Sequence, residues 1–403
     1  MSSPGPDTDV LVLGGGAAGL SLAQQLTATT DVRVLVVEPL DGPVRPPVRT
    51  WCFWDDGDGG LDDVVSASWP RLRVHGGHGT AHTVDPAPLR YRMLRSTRFE
   101  EYVHARLAER PGCGVLRATA GAVRDTPGGA EVDCTTPDGG PLTVRARLVF
   151  DSRPLGALPP ARTRLLQHFR GWFVRTARPR FDPGVADLMD FRVPQPAHGL
   201  AFGYVLPLAP DHALVEYTEF SRAPLTTPAY EKALDRYCHD VLGLGPFTVE
   251  AAEQGVVPMT DARFPVRVGP AVYRIGTAGG ATRPSTGYTF AAAQRQSRAV
   301  AASLAAGRPH VPPPHGRRAL AMDAVMLRAL DTGRLDGPAF FTGLFAHTPA
   351  ERLLRFLDGA TSLREEWAIG VRGPVRPMLR TVLELPFLPR RSHPAPRSGD
   401  SLP

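Results

Sequence analysis

Glu216 stands in the apolar run ALVEYTEF (213–220), a setting in which a carboxylate either meets water or takes part in chemistry. Side chains of a strand alternate with period two, so Glu216 and Thr218 share one face while Tyr217 and Glu219 share the other. On the inner face of a substrate-binding sheet such a carboxyl has a raised pKa and suits general acid or base chemistry. On an outer face it is simply solvated, and spacing alone leaves both readings open. The other chemically informative residues are glycines. Gly14, Gly16 and Gly19, with Gly15 and Ala18 between them, spell G-x-G-x-x-G: the first allows a tight turn, the second lets a pyrophosphate approach the amides at a helix N-terminus, and the third permits close helix-to-strand packing. Glu38 ends the next apolar run, placed to accept ribose hydroxyls and to repel a ribose phosphate, which favours FAD or NAD over NADP.

These residues need elements to hold them. Residues 10–13 read as a buried parallel strand, Leu20, Ala23 and Leu26 recur at helical spacing, and 32–37 supply a second strand, so strand, turn, helix, strand and acid stand in register. Pro- and Gly-rich loops at 42–47 and 55–60 flank the aromatic patch Trp51, Cys52, Phe53 and Trp54. Residues 96–107 predict a helix with a Ser or Thr cap. Strands at 121–123, 130–135 and 142–150 predict a small antiparallel meander. Between 163 and 257 strand-rich segments (171–176, 188–191, 200–206, 213–218) are interrupted by a helix at 230–241. The chain then returns through a strand at 271–275 to a second glycine-rich junction, which carries Gly276, Gly279, Gly280, Thr286 and Gly287 and runs into an Ala-rich helix ending near 307. Beyond a linker at 309–314, helices are predicted at 317–330, 338–345, 349–357 and 362–370.

The predicted fold class is α/β: a Rossmann-type, glutathione-reductase-like FAD-binding domain, an inserted antiparallel-sheet substrate domain and a C-terminal helical region. The expected divisions are 1–160 and 265–308 for the FAD-binding domain, 161–264 for the substrate domain, 309–388 for the helical region and 389–403 for a disordered tail.

Composition narrows the function. A chain of 403 residues, 42% hydrophobic and 21% charged, buries a sizeable core. No apolar run reaches the roughly 18 residues of a spanning helix, and the first residues lack a basic and an apolar signal region, so a cytoplasmic protein is expected. Cys52, Cys113, Cys134 and Cys238 lack metal or disulfide spacing, and no metal is expected. The net charge of +6 is carried by arginine apart from Lys232, and it is spread rather than clustered, which argues against nucleic acid. An anionic membrane surface and a plainly solvated surface explain it equally.

Several motifs together resemble the flavin-dependent lycopene cyclases, in the bacterial β-cyclase branch, from about residue 8 to 370. They are the N-terminal dinucleotide unit, the Thr50-Trp51 patch, YRMLRSTRF (91–99), FDSRP (150–154), QHFRGWFV (167–174), YVLPL with VEYTEFS (204–208, 215–221), GVVPMTD (255–261) and IGTAGGATRPSTGYTF (275–290). Each is weak alone; their order is specific. The family's proposed acid/base lies in a motif that plant members write as phenylalanine-leucine-glutamate-glutamate-threonine. Leu214, Val215, Glu216, Tyr217 and Thr218 fall on it, so the resemblance carries the role to Glu216 and not to position 217. A histidine important in plant members is replaced by Arg283, and the aspartate that usually meets the ribityl chain is replaced by the Gly276-Thr277-Ala278 segment.

The resemblance implies FAD in its reduced form, NAD(P)H as reductant, lycopene or a related linear carotenoid as substrate, and peripheral attachment to a membrane. It implies cyclisation without net redox change, with Glu216 as acid and with Thr218, Trp51, Trp172, Tyr288 and Arg283 as substrate-site residues; the aromatic ones serve equally well as plain core. For attachment, the C-terminal helices and the region where Leu383, Leu385, Phe387 and Leu388 precede Arg390 and Arg391 offer candidate surfaces, or these apolar residues pack on the flavin domain. Two rival readings are a flavin monooxygenase or prenyl reductase on the same scaffold, and a noncatalytic prenyl-lipid carrier.

Overall fold

The computed structural model describes residues 7–42, 45–57, 60–370 and 373–392. The chain begins β1 (Thr8–Leu13), α1 (Ala17–Thr29), β2 (Val34–Glu38), the dinucleotide unit expected from its glycines. There follow β3 (Thr50–Asp55), β4 (Val65–Trp69), β5 (Arg71–His75), β6 (Ala81–Val84), β7 (Arg90–Arg95), α2 (Ser96–Ala108), β8 (Gly114–Arg117) and the meander β9 (Thr119–Thr126), β10 (Gly129–Thr135), β11 (Pro141–Asp151). Next come β12 (Arg164–Thr176), β13 (Val185–Asp190), β14 (Leu200–Ala209), β15 (His212–Ser221), α3 (Thr227–Arg236), which runs on as a π-turn, and β16 (Phe247–Thr260). The chain returns through β17 (Val272–Arg274) and α4 (Phe290–Ala305) and finishes with α5 (Arg317–Asp331), α6 (Gly337–His347), α7 (Ala350–Leu357), α8 (Leu363–Gly370) and α9 (Val375–Glu384).

Three sheets organise these elements. The first runs β8-β2-β1-β11-β10-β9, with β17 also on β11, and its parallel part carries both glycine-rich junctions at strand C-terminal ends. Helices α1 and α4 cover it side by side, joined by a hydrogen bond from Gln294 Nε2 to Ser21 Oγ of 2.8 Å. Leu20, Leu22 and Leu26 of α1 are fully buried there, at about 1.5–3 kcal/mol each. The second sheet, β16-β12-β15-β14-β13-β5-β6, is largely antiparallel, and β3-β7-β4 bridges the two halves. The architecture is thus α/β, with a mixed flavoprotein-type sheet, a large antiparallel sheet and a helical C-terminal region.

The structure corrects several expectations. Strands β5 and β6 fall within 1–160 but belong to the second sheet, because Leu72 and Val74 find cover only by pairing β5 in parallel with β13. No Ser or Thr side chain caps α2: Ser96 lies inside the helix, and its hydroxyl accepts from the Arg49 amide at 2.9 Å. The aromatic patch 51–54 is strand β3, although residues 43–44 and 58–59 of its flanking loops lie outside the described residues. Of the tail expected to be disordered, 393–403 lies outside the described residues, whereas Arg391 pairs its backbone with Ala161 and Arg390 donates to the Asp261 carbonyl at 2.7 Å.

Candidate functional site

The two glycine-rich junctions meet. Gly14 turns the chain out of β1 with φ +99°, and α1 packs so tightly that a Cβ on Gly19 would lie 2.0 Å from the Gly14 carbonyl oxygen. Gly16 borders open space, no side chain caps the helix, and no acid sits in its first turn, so its free amides face outward as an anion site requires. Gly276 abuts Ala18: a Cβ there would lie 2.7 Å from the Ala18 methyl.

Glu38 is buried against Gly15, with His104 Nε2 at 3.2 Å, Arg45 at 3.6 Å and Arg117 hydrogen-bonded to it. Burial pushes its carboxyl up, but contact with His104 and the guanidinium groups of Arg117 and Arg45 outweighs this and holds it below the usual range. Glu38, Glu100 and His104 bring their polar atoms within 4.8 Å of one another, countered by Arg45 and Arg117.

Around the second junction, buried polar atoms stand without partners among the described residues. They are Thr286 Oγ1 and, from β12, Gln167 Oε1, which lies so close to Gly287 that a Cβ there would sit 1.8 Å away. A cradle that excludes side chains, an open helix N-terminus and orphaned polar atoms facing it fit a dinucleotide with its ring system near 279–288. Gly279 and Gly280 form the turn itself, and the Thr277 hydroxyl is engaged 3.2 Å from Thr282.

Glu216 lies on the inner face of the second sheet, where Thr218 donates to its Oε1 at 2.6 Å. It is paired across β14 with Tyr204 and across β12 with Gly171, and Gly171 in turn is paired with Glu253 on β16. Register alone aims the two carboxylates to the same face, and Gly171 between them has no side chain, its place taken by Leu214 Cδ1 and the Glu216 stem. Glu216 is half-buried, with protein packed around its carboxyl. Desolvation pushes its carboxyl up to about 8, with the Glu253 charge adding to the rise and the Thr218 hydroxyl opposing it.

Glu253 is anchored by the Thr50 hydroxyl at 2.7 Å and Arg95 at 3.2 Å; burial raises its pKa, against the pull of Thr50, Arg95 and Arg49. Aromatic groups complete this face: Tyr288 meets Trp54 edge to face at 4.6 Å, Trp54 stacks with Tyr91, and the Arg95 guanidinium covers Phe173 at 4.5 Å.

The opposite face is different. Tyr217 donates to Glu219 at 3.2 Å, and His168, beside Tyr230 (2.7 Å) and Ser221 (2.8 Å), is pushed down to about 4 by burial. Trp172 belongs to this face, against Phe247, so it cannot share a site with Glu216. Arg283 also departs from expectation: its guanidinium turns to Asp323 of α5 at 2.8 Å, a buried pair also reached by Ser285, and so ties the second junction to the C-terminal helices. Trp51 stacks on Phe290 at 5.7 Å, against the core that β1, β2, α1 and α4 share. The structure therefore brings Glu216, Thr218 and Tyr288 together. It adds Glu253, Gly171, Tyr204 and Gln167, which sequence reasoning missed because their importance comes from register across strands.

The family profile described as "Lycopene cyclase protein" matches residues 9–383. A relative from Deinococcus radiodurans described as an uncharacterized carotenoid cyclase is 29% identical over 382 residues, 88% of this chain and 87% of its own. Among solved structures, a flavoprotein/dehydrogenase from Cytophaga hutchinsonii superposes with TM-score 0.64 at 13% identity, covering 94% of this chain and 99% of that one. A geranylgeranyl bacteriochlorophyll reductase-like protein from Thermoplasma acidophilum does so with TM-score 0.60 at 15% identity, covering 95% and 99%. At such identities these two similarities describe the fold alone.

Proposed function

This chain belongs to the lycopene cyclase family, and from that premise we propose that it is a lycopene β-cyclase that closes the linear ends of lycopene into β-ionone rings with no net redox change. The observation that carries the reading is the placement of Glu216 on the aromatic-lined inner face of the second sheet, bonded by Thr218 and facing the same way as Glu253, where desolvation pushes its carboxyl up to about 8. Its proton adds to the terminal double bond and leaves a tertiary cation. The neighbouring double bond attacks that cation, a six-membered ring closes, and loss of a ring proton leaves the product with the atoms and electrons of the substrate. Burial keeps water from intercepting the cation, and the rings of Trp54 and Tyr288 offer cation–π stabilisation.

Gly14, Gly16 and Gly19 would hold the pyrophosphate of FAD, Glu38 its ribose, and Thr286, Gly287 and Gln167 its ring end. Bound in its reduced form, with NAD(P)H as the reductant, FAD would supply negative charge beside the cation. Because the substrate is a bilayer hydrocarbon, the enzyme attaches peripherally to a membrane; among the described residues no helix is long and apolar enough to cross one.

An anaerobic assay of lycopene with dithionite-reduced FAD tests this reading. The expected product has the mass of lycopene. A product heavier by oxygen or by two hydrogens would move the chain to the oxygenase or reductase reading.

A further inference from the structure

The last helix, α9, exposes an apolar stripe. Val375, Leu379, Val382 and Leu383 are 47 to 64% exposed, and Phe387, one turn beyond Leu383, is 87% exposed. At 100° per residue these positions form one continuous face, with Arg376 and Arg380 along its edge. The opposite side of α9 is fixed to the body: Glu384 pairs with Arg328 and Arg334, and Thr381 is fully buried beneath Arg334.

Charge is sorted in the same way. The acids of α8 and α9 are all bound to arginines from their own body: Glu365 to Arg355, Glu366 to Arg318 and Glu384 to Arg328. Arg364, Arg376 and Arg380 point outward, and no ion pair to them is found among the described residues. Helix α8 repeats the motif with Trp367 at 72% and Leu363 at 65% exposed beside Arg364.

We infer that α9 and the turn after it are the surface by which this protein docks on a bilayer bearing anionic headgroups, with the apolar stripe entering the interface and Arg376 and Arg380 meeting lipid phosphates. The inference rests on the proposed carotenoid substrate only for its purpose. Its evidence is an apolar face with a cationic edge and outward aromatic residues, the signature of an in-plane interfacial helix. A second copy docked through the same face would offer α9 its own Arg376 and Arg380, with the acids of α8 and α9 already engaged, whereas anionic headgroups complement these arginines. A groove of about 830 Å³, lined by Phe340, Leu344 and Pro374, opens at the start of α9. The surface keeps Leu383 and Phe387 of the expected 383–391 region, whereas Leu385 is buried and Arg390 is bound to Asp261.

Co-sedimentation of the full-length protein with phosphatidylglycerol/phosphatidylcholine vesicles, without flavin or carotenoid, tests the inference. The wild type should bind, more weakly at high salt. The combined substitution Leu379→Gln, Leu383→Gln, Phe387→Gln should lower binding at least tenfold, and Arg376→Gln with Arg380→Gln should lower it roughly tenfold or more on anionic vesicles only. Unchanged Tm and circular dichroism would show that these exposed changes leave the fold intact. Vesicle binding by the triple variant equal to wild type, no binding by wild type, or a wild-type dimer dissolved by the same substitutions would each overturn it. Cyclisation of detergent-dispersed lycopene, which should survive in the triple variant, separates failure of the docking surface from failure of the proposed function.

Discussion

The two faces of β15 carry nearly the same chemistry and treat it in opposite ways. Each presents a carboxylate two residues from a hydroxyl on its own face, Glu216 with Thr218 and Glu219 with Tyr217, and burial raises the pKa of both acids. Glu219 is furnished with fixed partners: the Tyr217 hydroxyl at 3.2 Å, Ser221 beside it and the His168 ring 3.9 Å away, all packed beneath α3. Glu216 has one hydroxyl, a second carboxylate across Gly171, and aromatic walls. A buried acid that is fully engaged holds structure, whereas one left under-satisfied is available to give its proton away.

The largest effect that would sharpen this contrast is Glu216→Gln, which keeps the size and removes the acidic proton. Cyclisation in a lycopene-accumulating host should fall by about 10²–10⁴-fold or more, with fold and flavin binding preserved. Gly171→Val comes next: even a methyl there would lie 2.8 Å from Leu214 Cδ1 and 3.5 Å from Glu216 Cβ, so a branched side chain displaces Glu216 and should cost about 10²-fold, measured as kcat on detergent-dispersed lycopene.

Glu253→Gln should act through the pH profile. Glu216 donates only while protonated, so activity falls as pH rises through about 8; removing the Glu253 charge moves that alkaline limb to lower pH, with roughly tenfold less activity on the limb and little change below it. Glu219→Gln should change cyclisation by less than about threefold, since a structural acid lies outside the reaction.

The smallest effect is on stability. The Glu216 carboxyl is raised from 4.5 to about 8, so across that window the folded chain holds a proton the unfolded chain has released. The stabilisation is complete below the window and is lost as pH rises through it. Glu216→Gln should therefore raise Tm at pH 9 relative to wild type by at least about 2 °C, with no such gain at pH 4.

Much of this was legible in the residues. The G-x-G-x-x-G unit with Glu38 determined the first sheet, because each glycine answers a local steric demand, and period two placed Glu216 with Thr218 and Glu219 with Tyr217 before any coordinates. What escaped was set by distant parts of the chain. Glu253 lies in VEAAEQG, which shows no strand periodicity by itself, and it becomes a neighbour of Glu216 only because β12 runs between β15 and β16. Trp172 was legible as aromatic but not by face until β12 was seen to extend back to Arg164. Arg283 sits where a site residue was expected, yet Asp323, 40 positions away, claims it. Strands β5 and β6 joined the second sheet through a parallel pairing that no local signal announces.

The central claim is that Glu216 delivers a solvent-exchangeable proton to the substrate. Cyclisation in D₂O, with the product read by mass spectrometry for wild type and for Glu216→Gln holding equal flavin, tests it most directly. The account predicts one deuterium per β-ring from the wild type and unreacted lycopene from the variant. Rings formed without deuterium, or labelled rings from Glu216→Gln at the wild-type rate, would contradict it.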